Sequence, residues 1–168
     1  MNIKRVVFTG GGTGGHVYPN IAIYEALRQK APDAKFKYMG TRKGAEYKII
    51  GKLTHNIDFI PILSKGIPMK IKSPGTVIAL FFIFLGFLKS LFVLRRFKPD
   101  IIIGSGGYVS APVLFAAALL KIKVFIHEQN AIPGRLNQLI AKFATKIGVS
   151  FESTLPFFPE SKAVYTGY

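Results

Sequence analysis

Short apolar runs recur along this chain: KRVVFT (4–9), KFKYMG (35–40), IDFIPI (57–62), DIIIGSGG (100–107), KVFIHEQN (123–130) and KIGVS (146–150). Longer stretches of helical pattern separate them: NIAIYEALRQKA (20–31), AEYKIIGKL (45–53), residues 76–97, APVLFAAALLK (111–121) and GRLNQLIAKFA (134–144). Runs such as III and VFI lack the polar alternation of a strand with one wet face, so they need a sheet covered on both sides. Strand–helix alternation of this kind predicts an α/β fold, a Rossmann-like doubly wound parallel sheet with right-handed crossovers. With 168 residues, 49% of them hydrophobic, the chain suffices for one domain with a sizeable core. It has no cysteine, which excludes a disulfide framework and a thiolate zinc site and fits a reducing compartment. MNIKRVVFTGG has neither the apolar core nor the cleavage site of a signal peptide.

In such sheets ligands gather beyond the carboxyl ends of the strands. Three polar or glycine-rich segments follow strands here, 10–20, 104–110 and 127–137, and they are expected to converge on one crevice. In the first, GGGTGGHVYPN, the residues Gly10, Gly12 and Gly15 satisfy G-x-G-x-x-G. Glycine permits the tight turn and lets backbone N–H groups approach a phosphate, while the next helix aims its positive end there. Dinucleotide sites add an acidic residue about 20 positions on. The second strand ends YMGTRKG without one, which argues against nicotinamide. A P-loop needs Lys and Ser/Thr where His16 and Val17 stand. Near a helix N-terminus the neutral form of His16 is favoured, and a neutral imidazole accepts a proton. The alternative is an ordinary solvated loop histidine.

The second loop, GSGGYVSAP, repeats the logic. Gly104, Gly106 and Gly107 suit another anion-binding turn, Tyr108 adds a hydroxyl and a stacking face, and Ser110 suits a helix cap. The third, HEQNAIPGRLN, sets His127, Glu128, Gln129 and Asn130 in a row at a strand end, with Asn137 beyond. Such a cluster points to a site. The alternative is that Glu128 and Asn130 brace neighbouring loops and that His127 is a buried histidine. His55 receives no role. The histidines lack metal-ligand spacing, so neither a metal nor a cofactor is expected.

GGGTGGHVYPNIAI, GSGGYVSAP and HEQNAIPGRLNQLIAKFATKI resemble the amino-terminal half of the MurG family, peptidoglycan glycosyltransferases that add N-acetylglucosamine to lipid I. The resemblance covers residues 6–167. It implies a GT-B enzyme of two Rossmann-like domains. Residues 1–168 would be the amino-terminal domain, which receives the lipid acceptor and the membrane. A carboxyl-terminal domain, not in this chain, would bind most of UDP-N-acetylglucosamine. The sequence stops at TGY, where the family crosses between domains and usually reads TGNP, so a truncated chain or half of a split enzyme is expected, inactive alone. The reaction implied is inverting transfer to the muramoyl C4 hydroxyl. His16 is the first choice for base and Glu128 the alternative. Thr13, Gly14, Gly15, Gly106, Gly107, Tyr108, Asn130 and Asn137 would contact substrate or diphosphate. The implied place is the cytoplasmic face of the bacterial inner membrane, peripherally bound. A rival reading is a non-catalytic membrane-anchoring subunit of a split glycosyltransferase.

SPGTVIALFFIFLGFLKSLFVLRRFKPD is the other informative stretch. Its uncharged run, 76–88, is short for a membrane span, which takes about 20 residues; extended to Leu94 it makes 19 with one lysine, so a span is an alternative, disfavoured because it would break the βαβ crossover. Phe81, Phe82, Phe84, Leu85, Phe87, Leu88, Leu91 and Phe92 cover most of its circumference, so part of that surface is exposed. Between Asp58 and Asp100 there is no acid, but there are Lys65, Lys70, Lys72, Lys89, Arg95, Arg96 and Lys98. An apolar patch with basic neighbours suits an anionic membrane surface. The net charge of +15 calls for a polyanionic partner. Nucleic acid is not expected, because the phenylalanines cluster instead of interleaving with basic residues.

Overall fold

The computed structural model describes residues 3–53, 56–68 and 72–167; His55 and Lys70 lie outside them. Seven parallel strands form one sheet in the order β3-β2-β1-β4-β5-β6-β7. They are β1 (Arg5–Thr9), β2 (Lys35–Gly40), β3 (Ile57–Pro61), β4 (Ile101–Gly104), β5 (Val124–Glu128), β6 (Lys146–Val149) and β7 (Ala163–Tyr165). The helices are α1 (Tyr18–Lys30), α2 (Ala45–Leu53), α3 (Pro74–Phe97), α4 (Ala111–Leu119) and α5 (Arg135–Ile140). The order reverses between β1 and β4, which pair Thr9 with Gly104 at their carboxyl ends. A crevice opens at such a switch point.

The central strand shows why the sheet is two-faced. Val6, Val7 and Phe8 are all fully buried, Val7 in one core cluster and Val6 and Phe8 in the other. Each such side chain contributes about 1.5–3 kcal/mol by leaving water.

Two elements differ from expectation. The helix expected over 134–144 ends at Ile140, where the chain tightens into a turn in which Phe143 N–H bonds the Ile140 carbonyl three residues back. Thr145 N–H then joins Val124 O and starts β6. β7 was not anticipated; three residues long and largely exposed, it is shorter than the apolar runs that mark the other strands.

α3 enters through Pro74 and stops at Lys98, whose left-handed φ of 52° precedes Pro99. It packs along α4. Gly86 is needed there: a Cβ would collide with the Leu63 carbonyl and approach Pro112 Cγ to 3.1 Å. Thr76, Ala79, Gly86, Ser90 and Leu94 form the buried face, while Val77, Phe81, Phe84, Leu88 and Phe92 are exposed. The structure divides the apolar run into exposed and packed residues. Phe87 and Leu91 pack against the core, and Phe82 and Leu85 are half-buried. Lys72, Lys89, Arg95 and Arg96 are exposed. By length and composition α3 is long and apolar enough to cross a membrane, a test that the core helix of a soluble fold also passes.

Candidate functional site

The three loops meet at Gly106. A Cβ there would lie 3.3 Å from His16 Cδ2 and 3.0 Å from Asn137 Nδ2. The two glycine loops touch backbone to backbone, since a Cβ on Gly107 (φ 78°) would strike the Gly11 carbonyl. Tyr108 lies over Gly12, with Cε1 3.0 Å from where a Cβ would stand.

His16 ends a single 3-10 turn, Gly14–His16, at the foot of α1. Its Nδ1 is 2.9 Å from Thr13 Oγ1, and its carbonyl accepts the Ser105 hydroxyl. No protein hydrogen bond to Nε2 is recorded among the described residues. Burial lowers the His16 pKa below the ordinary histidine value, and the nearby Glu128 opposes that only in part. The ring is neutral at pH 7. Where Nδ1–H donates to Thr13, Nε2 presents its lone pair to the crevice.

The loop beneath is braced from below. Tyr38 O–H donates to Gly10 O at 2.8 Å, and Asn20 Nδ2 donates to Thr9 O at 3.1 Å. Burial pushes Tyr38 far up, so its hydroxyl stays a neutral donor. Glu46 was missed by sequence reasoning. It is fully buried; Oε2 accepts Gly12 N–H at 3.1 Å, and Oε1 accepts Thr41 N–H and O–H at 2.8 and 2.6 Å. An acid therefore does follow β2, just past YMGTRKG, and it holds the loop. The signal was its place in the first turn of α2.

Glu128 is also fully buried. It accepts Asn130 N–H, Asn130 Nδ2, Gly134 N–H and Asn137 Nδ2, each at 2.9 Å. The carboxylate thus ties the whole 128–137 turn together. Among the described residues, Asn137 Oδ1 and Gln129 Oε1 are buried acceptors without a hydrogen-bond partner. His127 is buried, and desolvation lowers its pKa. Ser110 does not cap α4: its hydroxyl bonds Gly106 O at 2.7 Å and fixes the second loop. Gly14 and Gly15 do not have positive φ, and a methyl on Gly15 would meet only Thr13 Oγ1 at 3.9 Å. The conformational demand falls on Gly12, Gly106 and Gly107 instead. Among the described residues, no cluster of three or more His, Asp or Glu could hold a metal.

An all-parallel sheet whose two glycine loops meet at its switch point is the Rossmann-like half of a GT-B glycosyltransferase. The chain belongs to glycosyltransferase family 28: the family's N-terminal domain matches residues 6–149. It is 42% identical over 163 residues to the Bacillus cereus UDP-N-acetylglucosamine–N-acetylmuramyl-(pentapeptide) pyrophosphoryl-undecaprenol N-acetylglucosamine transferase 1, covering 97% of this chain and 44% of that protein. The Finegoldia magna transferase of the same name is 43% identical over 164 residues, with the same coverage. The crystal structure of Acinetobacter baumannii MurG superposes with a TM-score of 0.78 at 32% identity, over 98% of this chain and 45% of that one. The chain thus spans less than half the length of these relatives.

Proposed function

We propose that this chain is the acceptor-binding half of an inverting glycosyltransferase. It would move N-acetylglucosamine from UDP-N-acetylglucosamine to an undecaprenyl-diphosphate-linked N-acetylmuramoyl-pentapeptide in peptidoglycan synthesis. The observation that carries this reading is His16: a neutral imidazole, anchored by Thr13, with Nε2 free at the switch point. In the transfer, the acceptor C4 oxygen attacks the anomeric carbon as its proton passes to His16 Nε2. The bond to UDP breaks on the opposite face, so the configuration inverts and a β-1,4 bond forms. Donor binding and most leaving-group stabilisation fall to a second domain.

Glu128 serves as a brace in this reading. Each of its buried oxygens already accepts two hydrogen bonds, so a proton taken up on either one would face two donors, which is costly. The exposed α3 stripe and its cations support peripheral docking on the anionic cytoplasmic face of the membrane.

The test is kinetic. In the two-domain enzyme, His16→Ala should lower kcat by roughly 10²-fold or more, and His16→Gln should not restore it, with melting temperatures near wild type. A rise in KM alone would make His16 an acceptor contact instead of the base. Full activity in both variants would remove it from the mechanism.

A further inference from the structure

Next to the crevice lies a second cavity, of about 640 Å³, between the β2–α2 loop, the segment after β3, and α3. Arg42, Lys43, Lys65 and Lys89 stand around it, and no carboxylate lines it. All four cations are exposed. Among the described residues the recorded ion pair is Lys37–Asp58, which is none of them. The nearby Glu46 carboxylate is turned inward and spent on Gly12 and Thr41.

Tyr108 is the wall shared by cavity and crevice. Its Cε1 lies 3.0 Å from where a Gly12 Cβ would stand, and its Cδ1 lies 3.6 Å from where a Gly66 Cβ would stand. Ser64 O–H fixes it by donating to Tyr108 O at 2.8 Å. Phe82 and Lys89 form the rim on α3, each adjoining an exposed residue of the apolar stripe, Phe81 and Leu88. A path therefore runs from that stripe, past four cations without an ion pair among the described residues, to the loop that carries His16.

We infer that this cavity holds the diphosphate and first isoprene unit of a prenyl-diphosphate carrier. The inference rests on the acceptor reading above and moves the acceptor's diphosphate away from the first glycine loop. Gly12 N–H is already taken by Glu46, and that carboxylate would repel an anion seated on the loop. The charge complementarity lies in the cavity, and its apolar wall suits the chain that must continue toward the membrane.

Titration calorimetry of the two-domain enzyme with farnesyl diphosphate, inorganic pyrophosphate, farnesol and UDP tests this, UDP reporting the intact donor domain. Wild type should bind farnesyl diphosphate more tightly than pyrophosphate or farnesol, and more weakly as salt rises. The double variant Lys65→Ala/Lys89→Ala should lose about tenfold or more for farnesyl diphosphate and little for UDP. Phe82→Ser should weaken farnesyl diphosphate but not pyrophosphate. Lys65 and Lys89 are exposed, so the fold is not at risk, and melting temperature verifies that. Absence of farnesyl diphosphate binding to wild type, or equal binding by the double variant, overturns the inference, as does selective loss of UDP. Sugar transfer by the two-domain wild-type enzyme to a lipid-linked acceptor tests the acceptor reading separately.

Discussion

Glu46 Oε2 accepts the backbone N–H of Gly12 at 3.1 Å, so the glycine loop after β1 is tied to the first turn of α2. Glu46→Gln keeps the volume but turns an N–H₂ toward backbone or hydroxyl donors on one side. Loss of one buried acceptor costs about 1–3 kcal/mol, so urea unfolding should show a stability loss of that order. An unchanged midpoint would show that water replaces the lost acceptor.

Glu128→Gln should behave likewise, because each carboxylate oxygen receives two donors. If Glu128 is a brace, the variant of the two-domain enzyme loses activity but keeps the wild-type acidic limb of its pH–rate profile. Disappearance of that limb would make Glu128 the base.

Burial lowers the pKa of both His16 and His127. The unfolded chain then binds protons more readily than the folded one between the folded value and about 6.5. Stability should be flat above that pH and fall as pH drops through the window. Melting temperatures from pH 8 to 5 check the sign, and His127→Gln should reduce the slope. A melting temperature that rises on acidification would contradict it.

Membrane docking can be separated from folding on one helix. Phe84→Glu or Phe92→Glu changes an exposed residue and should reduce sedimentation with anionic vesicles while leaving the melting temperature near wild type. Phe87→Glu puts a charge against the core and should destabilise the fold first. Equal sedimentation of wild type and both exposed variants would dismiss the stripe as the docking surface.

The glycines make a contrast of their own. Gly107→Ala forces a side chain to φ 78° and into the Gly11 carbonyl, so it should destabilise the protein by more than about 1 kcal/mol. Gly15→Ala makes only an ordinary contact with Thr13 Oγ1 at 3.9 Å and should fold normally. Any loss of activity in Gly15→Ala would then report a ligand contact.

Local pattern carried the sheet. KFKYMG and AEYKIIGKL form β2 and α2 over the expected residues, because apolar runs and helical periodicity are written in neighbouring residues. The gathering of His16, Gly106 and Asn137 also followed from chain order, since loops after adjacent parallel strands share one end of the sheet. What the sequence left open were contacts between residues far apart in it. Only the tertiary structure turned Glu46 under a loop 34 positions away and spent all of Glu128 on its own turn. It also moved the demand for glycine from Gly14 and Gly15 to Gly12, Gly106 and Gly107. The apolar helix makes the same point. Its composition is apolar nearly all round, and the packing of α4 and the Leu63 carbonyl against Gly86 decided which phenylalanines reach solvent.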